Sequence, residues 1–382
     1  MPATKTHADS CARASHNEVV PTAPELTDPW TLGSLHVPNR VLLAPLAGIG
    51  NWFVRLQAKR YGAGMAVSEM VSSYAIHYRN EKTCTEMLRI DPRERMPGPD
   101  APGGPVSIQL FGENPEIMCS AAATVAAAGA DAIDINMGCP VPKVAKTGAG
   151  AALLADPDRA VAIARATVEG ANGAGHPAGG GRDEYKRIPV TVKLRSGLRP
   201  GDESGFSLAH RLVEEAGVAA IAFHPRSAAV HHRGTPDYEL AARLVRSLPA
   251  PVILTGGMDD ADSVRDAFAA TGAAAVMLAR GALGNPWLFE QLLEDPAHPR
   301  RPGPSREEVL AELRWTIACA VEHLGEARAT RYLRKFYPWY VARLGLASSE
   351  AKRLQESLQS APTLEDVWTL LESGVGELEP AL

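Results

Sequence analysis

The sequence predicts an α/β protein: a closed parallel (β/α)8 TIM barrel followed by a small all-helical C-terminal domain. Eight short apolar runs rich in β-branched residues recur along the chain, and a segment with helical spacing follows each one. Nearly every run ends in polar or glycine residues. Eight strands alternating with helices are typical of this barrel, and the polar ends suit its catalytic face. A doubly wound open sheet is the competing interpretation.

The predicted strands lie between residues 41 and 281. Ala-, Leu- and charge-rich segments such as PEIMCSAAATVAAAGA and ADSVRDAFAATGA separate them and are expected to be helices. In chain order, the strands are VLLAP (41–45), GMAVSEM (64–70), PVSIQLFG (105–112), AIDINMG (132–138), PVTVKLRSG (189–197), AAIAFHPR (219–226), PVILTGG (251–257) and AAVMLARG (274–281).

Changes in composition predict the domain boundaries. Residues 1–27 contain no apolar segment that could serve as a secretory signal, and we expect them to form a disordered tail. The pattern turns polar near 295–305 and is helical afterwards, so a barrel over 28–298 and a small helical domain over 305–382 are expected. Two Pro- or Gly-rich segments, 91–105 and 169–187, are expected to be flexible insertions without a chemical role.

Composition argues against several classes of protein. The 382 residues are 45% hydrophobic and 22% charged, which is typical of a globular chain with a large core. No apolar run approaches the roughly 18 residues of a membrane helix, so no membrane span is expected. The five cysteines are scattered and form no C-x-x-C pair, which favours a cytoplasmic protein without disulfides or a metal site. The net charge of −5 does not itself suggest nucleic-acid binding.

The ends of the predicted strands carry the residues that could bind a ligand. Small residues and a Pro in the first loop allow a flat ligand to approach the backbone. Glycines after the seventh and eighth strands lie where such barrels commonly bind phosphate through backbone N–H groups. With a Lys, a Gln and a His at the same mouth, these features favour flavin mononucleotide (FMN). The strand-end residues are Pro45, Leu46, Ala47, Gln109, Asn136, Cys139, Lys193, His224, Arg226, Thr255, Gly256, Gly257, Ala279 and Arg280.

Each of these features also has a purely structural explanation. Lys193 could form a salt bridge with a neighbouring carboxylate, and His224 could be a hydrogen-bonded structural histidine. The segment 255–257 could be a simple turn, and Glu69 is expected to be a hydrogen-bond partner at the barrel mouth. Considered alone, Cys139 could be a core residue, half of a disulfide, a metal ligand, a nucleophile or a proton donor.

Taken together, the motifs resemble those of the tRNA-dihydrouridine synthases, flavin enzymes that reduce uridines in tRNA. The motifs APLAG, SEM, QLFG, DINMGCPVPKV…GAGAALL, VTVKLRSG, HPR…G and ARGALGNPWLF occur in the family's order over roughly residues 35–290. A weaker similarity lies in RYLRKFYPWY, in the C-terminal region. The bacterial B-type branch, which acts in the D-loop of tRNA, is the most similar.

The resemblance implies FMN as the cofactor and NADPH as its reductant. It also implies that hydride passes from flavin N5 to C6 of uracil and that the thiol of Cys139 protonates C5. A free thiol has a pKa of about 8.5 and is mostly protonated at pH 7, so it can donate without special tuning. The residues that the resemblance places around the flavin are Pro45, Leu46, Ala47, Gln109, Lys193, His224, Thr255, Gly256, Gly257, Ala279 and Arg280.

Basic and polar residues outside the flavin set are expected to contact tRNA. The spacing i, i+3, i+6, i+7 predicts one basic helix face in the C-terminal region, although a solvated face is the structural alternative. The aromatic residues of FYPWY (336–340) are expected to be core rather than a stacking surface. The predicted tRNA contacts are Asn136, Lys143, Lys146, Arg226, Arg328, Arg331, Arg334 and Lys335.

The chain departs from the family's pattern at six positions, mostly in the sixth loop and the phosphate loop. We expect flavin binding and catalysis to be kept, and the tRNA contacts of the sixth loop to differ. Pro225 replaces a usual Gly, Ala228 an Arg, His232 an aromatic residue, Thr255 an Asn, Gly257 an acid and Phe336 a His.

Two other functions compete with this interpretation. An FMN barrel acting on a free pyrimidine, similar to dihydroorotate dehydrogenase, would leave the C-terminal helices unexplained. A non-catalytic RNA-binding or chaperone-like protein would have no need of Cys139, Lys193 and His224 together. The protein is expected to act as a monomer.

Overall fold

Eight parallel strands close into a barrel in the computed structural model, which describes residues 24–96, 103–173, 187–294 and 303–376. The closed ring confirms the predicted barrel and excludes the open sheet. A two-stranded antiparallel hairpin precedes the barrel. The strands are β1 (Trp30–Leu32) and β2 (Leu35–Val37) in the hairpin, then β3 (Val41–Leu43), β4 (Met65–Ser72), β5 (Val106–Phe111), β6 (Ala132–Met137), β7 (Val190–Arg195), β8 (Ala220–His224), β9 (Val252–Thr255) and β10 (Ala275–Leu278) in the barrel.

Helices surround the barrel, and five more follow it. Both helical segments singled out in the sequence, at α3 and α8, are confirmed. The helices are α1 (Trp52–Arg60), α2 (Ser73–His77), α3 (Pro115–Ala127), α4 (Pro142–Ala145), α5 (Pro157–Gly173), α6 (Ser204–Ala216), α7 (Tyr238–Ser247), α8 (Ala261–Thr271), α9 (Trp287–Leu293), α10 (Arg306–Leu324), α11 (Glu326–Leu333), α12 (Tyr337–Val341), α13 (Ser348–Ser360) and α14 (Leu364–Gly376).

The hairpin, which the sequence did not predict, covers the amino-terminal end of the barrel. Its apolar side chains share a cluster with Ala132, Ala220 and Ala275, which are the first residues of three barrel strands. At its turn, Gly33 has a φ of +58°, and a side chain there would touch Pro189, just ahead of β7. Because this end is closed by apolar packing, ligands can reach the barrel only from the carboxyl ends of the strands.

A buried polar cluster joins the C-terminal helices to the barrel. The Glu312 carboxylate of α10 is only 3% exposed and accepts hydrogen bonds from three groups of α1 and the residue after it. Gln57 Nε2 donates at 2.8 Å, Arg60 Nη1 at 3.0 Å and the Tyr61 hydroxyl at 2.8 Å. Gln57 also donates to the Tyr340 hydroxyl of α12 at 2.8 Å. Buried charges are stable only when so paired, which fixes α10 on α1.

The structure corrects one expectation about flexible segments. In the predicted tail only residues 24–27 are described, and there Leu26 is buried and its carbonyl accepts a hydrogen bond from the backbone of Arg40. Glu94, placed in the first insertion, is fully buried and pairs with Arg55 of α1 at 2.7 Å. Because a buried ion pair requires fixed geometry, residues 91–96 belong to the packed fold. The rest of the tail, 1–23, and most of both insertions, 97–102 and 174–186, lie outside the described residues.

The C-terminal region is helical as far as it is described. The predicted core role of its aromatic segment is confirmed, since Phe336, Tyr337 and Tyr340 are all buried. The boundary between barrel and helical domain stays a prediction, because residues 295–302 lie outside the described part of the chain. Within the described part, no helix is long and apolar enough to cross a membrane.

We predict that Glu312→Ala destabilises the protein by about 2–4 kcal/mol, because it leaves buried donors without an acceptor. Chemical denaturation followed by circular dichroism measures the effect. Glu356→Ala, which removes an exposed carboxylate from α13, is the matched control and should change stability by less than about 0.5 kcal/mol. Equal unfolding midpoints for the two variants would contradict the assigned role of Glu312.

Candidate active site

A cavity of about 310 Å³ opens at the carboxyl ends of the barrel strands. It brings together every residue that the resemblance placed around a flavin, although those residues come from six different strand ends. Residues 45–47 of the first loop, Gly256 and Gly257 of the seventh loop, and Ala279 and Arg280 of the eighth loop are far apart in the sequence but line the same cavity. The predicted residues that line it are Pro45, Leu46, Ala47, Gln109, Asn136, Cys139, Lys193, His224, Thr255, Gly256, Gly257, Ala279 and Arg280.

A row of buried side chains crosses the floor of this cavity on β5, β6 and β7. Asp134 accepts hydrogen bonds from Thr191 Oγ1 at 2.5 Å and from Gln109 Nε2 at 2.6 Å. Gln109 Oε1 in turn accepts from Asn136 Nδ2 at 2.9 Å. The residues belong together because Gln109 pairs with Asp134, and Asp134 with Thr191, in the strand register. The carboxylate can only accept, so it fixes which end of each amide faces which neighbour.

The same row determines the shape of the Cys139 loop. Asn136 Oδ1 accepts hydrogen bonds from the backbone N–H groups of Gly138 at 3.2 Å and Cys139 at 2.9 Å. On its far side, the Cys139 carbonyl accepts from Ala151 N at 3.0 Å. Gly150, at a φ of +63°, comes so close that a side chain would lie 2.7 Å from that carbonyl. Cys139 is therefore held from both sides at the cavity rim. Asn136, predicted as a substrate contact, orients this loop.

The other roles considered for Cys139 find no support in the structure. The four cysteines of the described residues are all free. No group of three or more His, Cys, Asp or Glu side chains in the same part of the chain is arranged to hold a metal ion. The thiol lines the cavity and is only partly buried, which does not fit a core residue. A nucleophile and a proton donor remain.

Lys193 supplies a buried positive charge beside this row. Burial, and then the neighbouring Arg195, lower its pKa to about 8, while Asp134 opposes the shift. Burial raises the pKa of Asp134 to about 6, against its hydrogen bonds to Thr191 and Gln109. Near pH 7 both groups therefore keep their charges, in a site that penalises them. No described carboxylate lies within ion-pair distance of Lys193, so the salt-bridge explanation is wrong and its charge is available to a ligand.

His224 is a neutral imidazole in this setting. Burial, and then the cations Lys193 and Arg195, strongly lower its pKa. It lies against the seventh loop, where a side chain at Gly256 would come within 2.4 Å of His224 Nε2. Gly256 has a φ of +101°, so both its conformation and its surroundings require glycine. The close approach lets the imidazole and the glycine turn share one wall of the cavity.

The seventh and eighth loops form a site with unused hydrogen-bond donors. Gly256 and Gly257 both adopt positive φ, at +101° and +78°. Among the described residues, the backbone N–H groups of Gly256, Gly257 and Arg280 have no acceptor. The Arg280 side chain also lines the cavity. Successive free N–H groups beside a guanidinium form an anion-binding site of the kind that holds phosphate.

The sequence reasoning missed Arg195, a second cation of β7 that lines the cavity. Its Nε donates to the Gly138 carbonyl at 2.9 Å. Its Nη1 donates to the carbonyls of Ser227 at 3.2 Å and His231 at 2.6 Å. Arg195 therefore ties the Cys139 loop to the sixth loop. Lys193 and Arg195 are at i and i+2 of an apolar strand, so their side chains must face the same side of the sheet. That spacing could have identified Arg195 as a second cation of the cavity.

Some of the predicted tRNA contacts are exposed in the structure and others are buried. Lys143 and Lys146 are exposed on and just after α4, beyond the cavity rim. Arg226 does not line the cavity, because its guanidinium is buried and donates to the Gly234 carbonyl at 2.7 and 3.0 Å. It stabilises the sixth loop from within, so its predicted contact with substrate is not supported.

The four basic residues predicted to share one helix face in the C-terminal region are also separated. Arg328, Arg331 and Lys335 line a second cavity of about 340 Å³, between the first two barrel loops and α11. Arg334 points elsewhere and donates to the Ala361 carbonyl at 3.3 Å. The expectation of a single face containing all four is therefore wrong. Because α11 ends at Leu333, the helical spacing does not extend to the last two residues.

Two contacts link this second cavity to the first loop of the active site. Glu69 Oε2 accepts a hydrogen bond from Gly48 N at 2.9 Å, which confirms its expected role at the barrel mouth. Lys335 Nζ donates to the Gly48 carbonyl at 3.1 Å. The loop that supplies Pro45 and Ala47 to the active-site cavity is therefore held by both the barrel and the C-terminal region.

Comparison with known proteins identifies the family. A model of the dihydrouridine synthase (Dus) family matches residues 42–371. The tRNA-dihydrouridine synthase B of Pseudomonas aeruginosa is 32% identical over 335 residues, covering 85% of this chain and 92% of that protein. The probable tRNA-dihydrouridine synthase 1 of a Synechocystis species is 34% identical over 320 residues, covering 82% of this chain and 81% of that protein.

Among solved structures, a 2-naphthoyl-CoA reductase in complex with 2-naphthoyl-CoA has a similar fold. Its TM-score is 0.52 at 13% identity, and the match covers 70% of this chain and 52% of that one. At such low identity the likeness concerns the barrel fold alone. The family match and the two relatives extend through both the barrel and the C-terminal helices, and they establish that the chain belongs to the dihydrouridine synthase family of oxidoreductases.

Proposed function

We propose that this protein reduces uridine to 5,6-dihydrouridine in the D-loop of tRNA, with FMN as cofactor and NADPH as the reductant. The observation that carries the proposal is the convergence of the Cys139 loop, the buried Lys193 cation and the free N–H groups of 256–257 in one cavity. Family membership supports the reaction class, and the names of the relatives support tRNA as the substrate. The enzyme is proposed to act as a cytoplasmic monomer.

The residues of the cavity fit FMN. The acceptor-free N–H groups of Gly256, Gly257 and Arg280, with the Arg280 guanidinium, would hold its phosphate. Gln109 has one N–H committed to Asp134, and its other N–H is free to donate to an acceptor of the ring. The Lys193 cation would favour negative charge on the ring. When bound and reduced, FMN supplies the hydride for the substrate.

Cys139 would complete the reduction by donating a proton. A uracil that has gained hydride at C6 carries negative charge at C5 and at the C4 oxygen, and the thiol delivers the proton to C5. Asn136 holds the backbone N–H of Cys139 and Ala151 holds its carbonyl, so the backbone that carries the thiol is fixed at the rim before substrate arrives. Preorganisation of this kind avoids the entropic cost of finding the donor during the reaction.

Two basic surfaces beside the cavity would bind the RNA backbone. Lys143 and Lys146 lie beyond Cys139, and Arg328 and Arg331 line the second cavity. The protein as a whole has a net charge of −5, so these local surfaces must supply the attraction for phosphate. Between them, the target uridine would leave its stack and enter the barrel mouth.

We predict that Cys139→Ala keeps FMN and its reduction by NADPH but loses most dihydrouridine formation, by at least about a hundredfold, the usual contribution of a general acid. Single-turnover reoxidation of the reduced enzyme by unmodified tRNA measures the loss. Cys84→Ala, which removes an exposed thiol on the second loop, is the control. A normal product yield from Cys139→Ala would remove the thiol from the donor role.

We predict that Asp134→Asn, which keeps the shape of the side chain, lowers the rate of uridine reduction by about tenfold or more. An amide nitrogen would face either Thr191 or Gln109, and an unpaired buried donor costs about 1–3 kcal/mol. Because burial raises the pKa of Asp134 to about 6, the wild-type rate should also fall as pH drops through that value.

The pH profile separates this role from a general loss of stability. Asp134→Asn should lack the inflection near pH 6, whereas Asp158→Asn, an exposed carboxylate of α5, should keep both the rate and the inflection. Identical pH–rate profiles for wild type and Asp134→Asn would show that the orientation of the Gln109 and Asn136 side chains does not depend on this carboxylate.

We predict that Arg328→Gln combined with Arg331→Gln weakens tRNA binding and lowers its salt dependence. Each lost phosphate contact should reduce the slope of log K against log salt by about 0.7–0.9. Flavin reduction by NADPH should be unchanged, since neither residue lines the active-site cavity. Arg246→Gln, on the exposed surface of α7, controls for the loss of charge alone. Unchanged tRNA affinity in the double variant would exclude this surface.

A further inference from the structure

Two tyrosines on the second barrel loop form an exposed aromatic surface that the chemistry above does not use. Tyr74 and Tyr78 lie four residues apart, on and just after α2. Their ring centroids are 6.3 Å apart, with an angle of 27° between the ring planes. Tyr78 is 74% exposed. Tyr74 is half-buried, so the outer ring, that of Tyr78, presents its face to solvent and Tyr74 supports it from within.

Exposure of this kind is rare in the described part of the chain. Only two other large hydrophobic side chains there are strongly exposed, Met96 at 83% and Val141 at 46%. Val141 follows Cys139 and Pro140 and lines the active-site cavity. Met96 lies at the other end of the barrel, since the adjacent Arg95 pairs with Asp131, just ahead of β6. Exposed apolar surface on the catalytic face is thus confined to the second and fourth loops.

Contacts within the structure place the aromatic pair beside the mouth. Met70, four residues before Tyr74, lines the active-site cavity. The Glu113 carboxylate lies close to the Tyr74 hydroxyl and raises the pKa of that tyrosine. A side chain at Gly148 would lie 3.6 Å from Glu113, so this carboxylate is next to the loop that carries Cys139. The two tyrosines are therefore neighbours of the fourth loop.

The backbone that carries the outer ring is an ordered turn. After Tyr78 the chain turns sharply at Arg79, which has a φ of +52°, an uncommon conformation for a residue other than glycine. Arg79 N donates to the Ile76 carbonyl at 2.9 Å, and Asn80 N donates to Ala75 at 2.8 Å. Three hydrogen bonds, including the one from Tyr78 N to Tyr74 at 2.9 Å, close the end of α2. Tyr78 is presented by an ordered turn.

Positive charge accompanies the aromatic surface. Arg79 and Lys82 are exposed and, among the described residues, form no ion pair. Lys82 also lines the second cavity together with Arg328 and Arg331. The acidic neighbours are Glu81, which is exposed, and Glu113, which lies beside Tyr74. Glu69 and Glu86 also line the second cavity, where Glu86 pairs with Arg328 at 2.8 Å, so Lys82 and Arg331 are cations there without such a partner among the described residues. The aromatic face thus lies between the basic surface of the fourth loop and that of the second cavity.

We propose that Tyr74 and Tyr78 form a stacking platform for an unpaired base of the RNA substrate, next to the uridine that enters the cavity. The inference rests on the proposed function. A uridine that leaves its stack exposes the face of a neighbouring base, which costs a few kcal/mol. An aromatic ring with cations beside it offers that base a new stacking partner without reading its identity. The platform stabilises the opened RNA.

The experiment compares tRNA binding and reduction by wild type, Tyr78→Ala, Tyr78→Phe and Met96→Ala, all with FMN bound. Tyr78→Ala should raise the Kd for tRNA about five- to 150-fold, the range given by the loss of one base–aromatic stack. Tyr78→Phe keeps the ring and should retain affinity within about twofold. Met96→Ala removes an equally exposed apolar side chain at the opposite end of the barrel and should have no effect. Flavin content and circular dichroism establish that each variant is folded.

The outcomes separate this inference from the proposed function. If tRNA does not reoxidise the reduced wild-type enzyme, the proposed function fails and the platform with it. If wild type is active and Tyr78→Ala binds and reduces tRNA equally well, only the platform is rejected. A change in sedimentation of Tyr78→Ala with unchanged tRNA affinity would instead identify the surface as a contact between copies of the chain. A defect in Tyr78→Phe as large as that in Tyr78→Ala would assign the effect to the hydroxyl and overturn stacking.

Discussion

The arrangement of the active site depends on one buried carboxylate. Asp134 is fully enclosed and accepts from Thr191 and Gln109 at 2.5–2.6 Å. Because an ionised carboxylate cannot donate, both neighbours must point their hydrogens at it, and the Gln109 amide has only one possible orientation. That orientation leaves an oxygen for Asn136, whose own oxygen then faces the Cys139 loop. A single acceptor on β6 thus sets the direction of every hydrogen bond as far as the backbone of Cys139.

The electrostatics of the cavity follow from the same burial. Lys193 and Arg195 lie on one face of β7, and burial lowers the pKa of both, to about 8 and about 10. Two neighbouring cations in a desolvated site repel each other, so their arrangement stores electrostatic energy that an anionic ligand would release. His224 stays neutral because burial strongly lowers its pKa, and because protonation would add a third charge to this set. The barrel mouth is therefore electropositive although the chain has a net negative charge, and the net charge alone does not reveal it.

Much of this fold and site could be predicted from local patterns, and the failures have identifiable causes. The eight strands were found because each is a short apolar run with polar residues at one end. The hairpin β1–β2 was missed because each strand has three residues, too few to show periodicity. Arg334 was misplaced because helical spacing was extended past Leu333, where α11 ends. The buried position of Arg226 was not foreseen because its partner, the Gly234 carbonyl, is a backbone group that no side-chain pattern reveals.

The departures from the family's pattern in the sixth loop are compatible with an intact site for a physical reason. Arg195 holds the carbonyls of Ser227 and His231, and Arg226 holds the carbonyl of Gly234. These contacts are made to the backbone, so side chains in the loop can change without moving it. His231 has a φ of +55°, and the Arg195 hydrogen bond to its carbonyl stabilises that unusual conformation. The loop can therefore differ in the groups that it presents to RNA while Arg195 continues to position the Cys139 loop through Gly138.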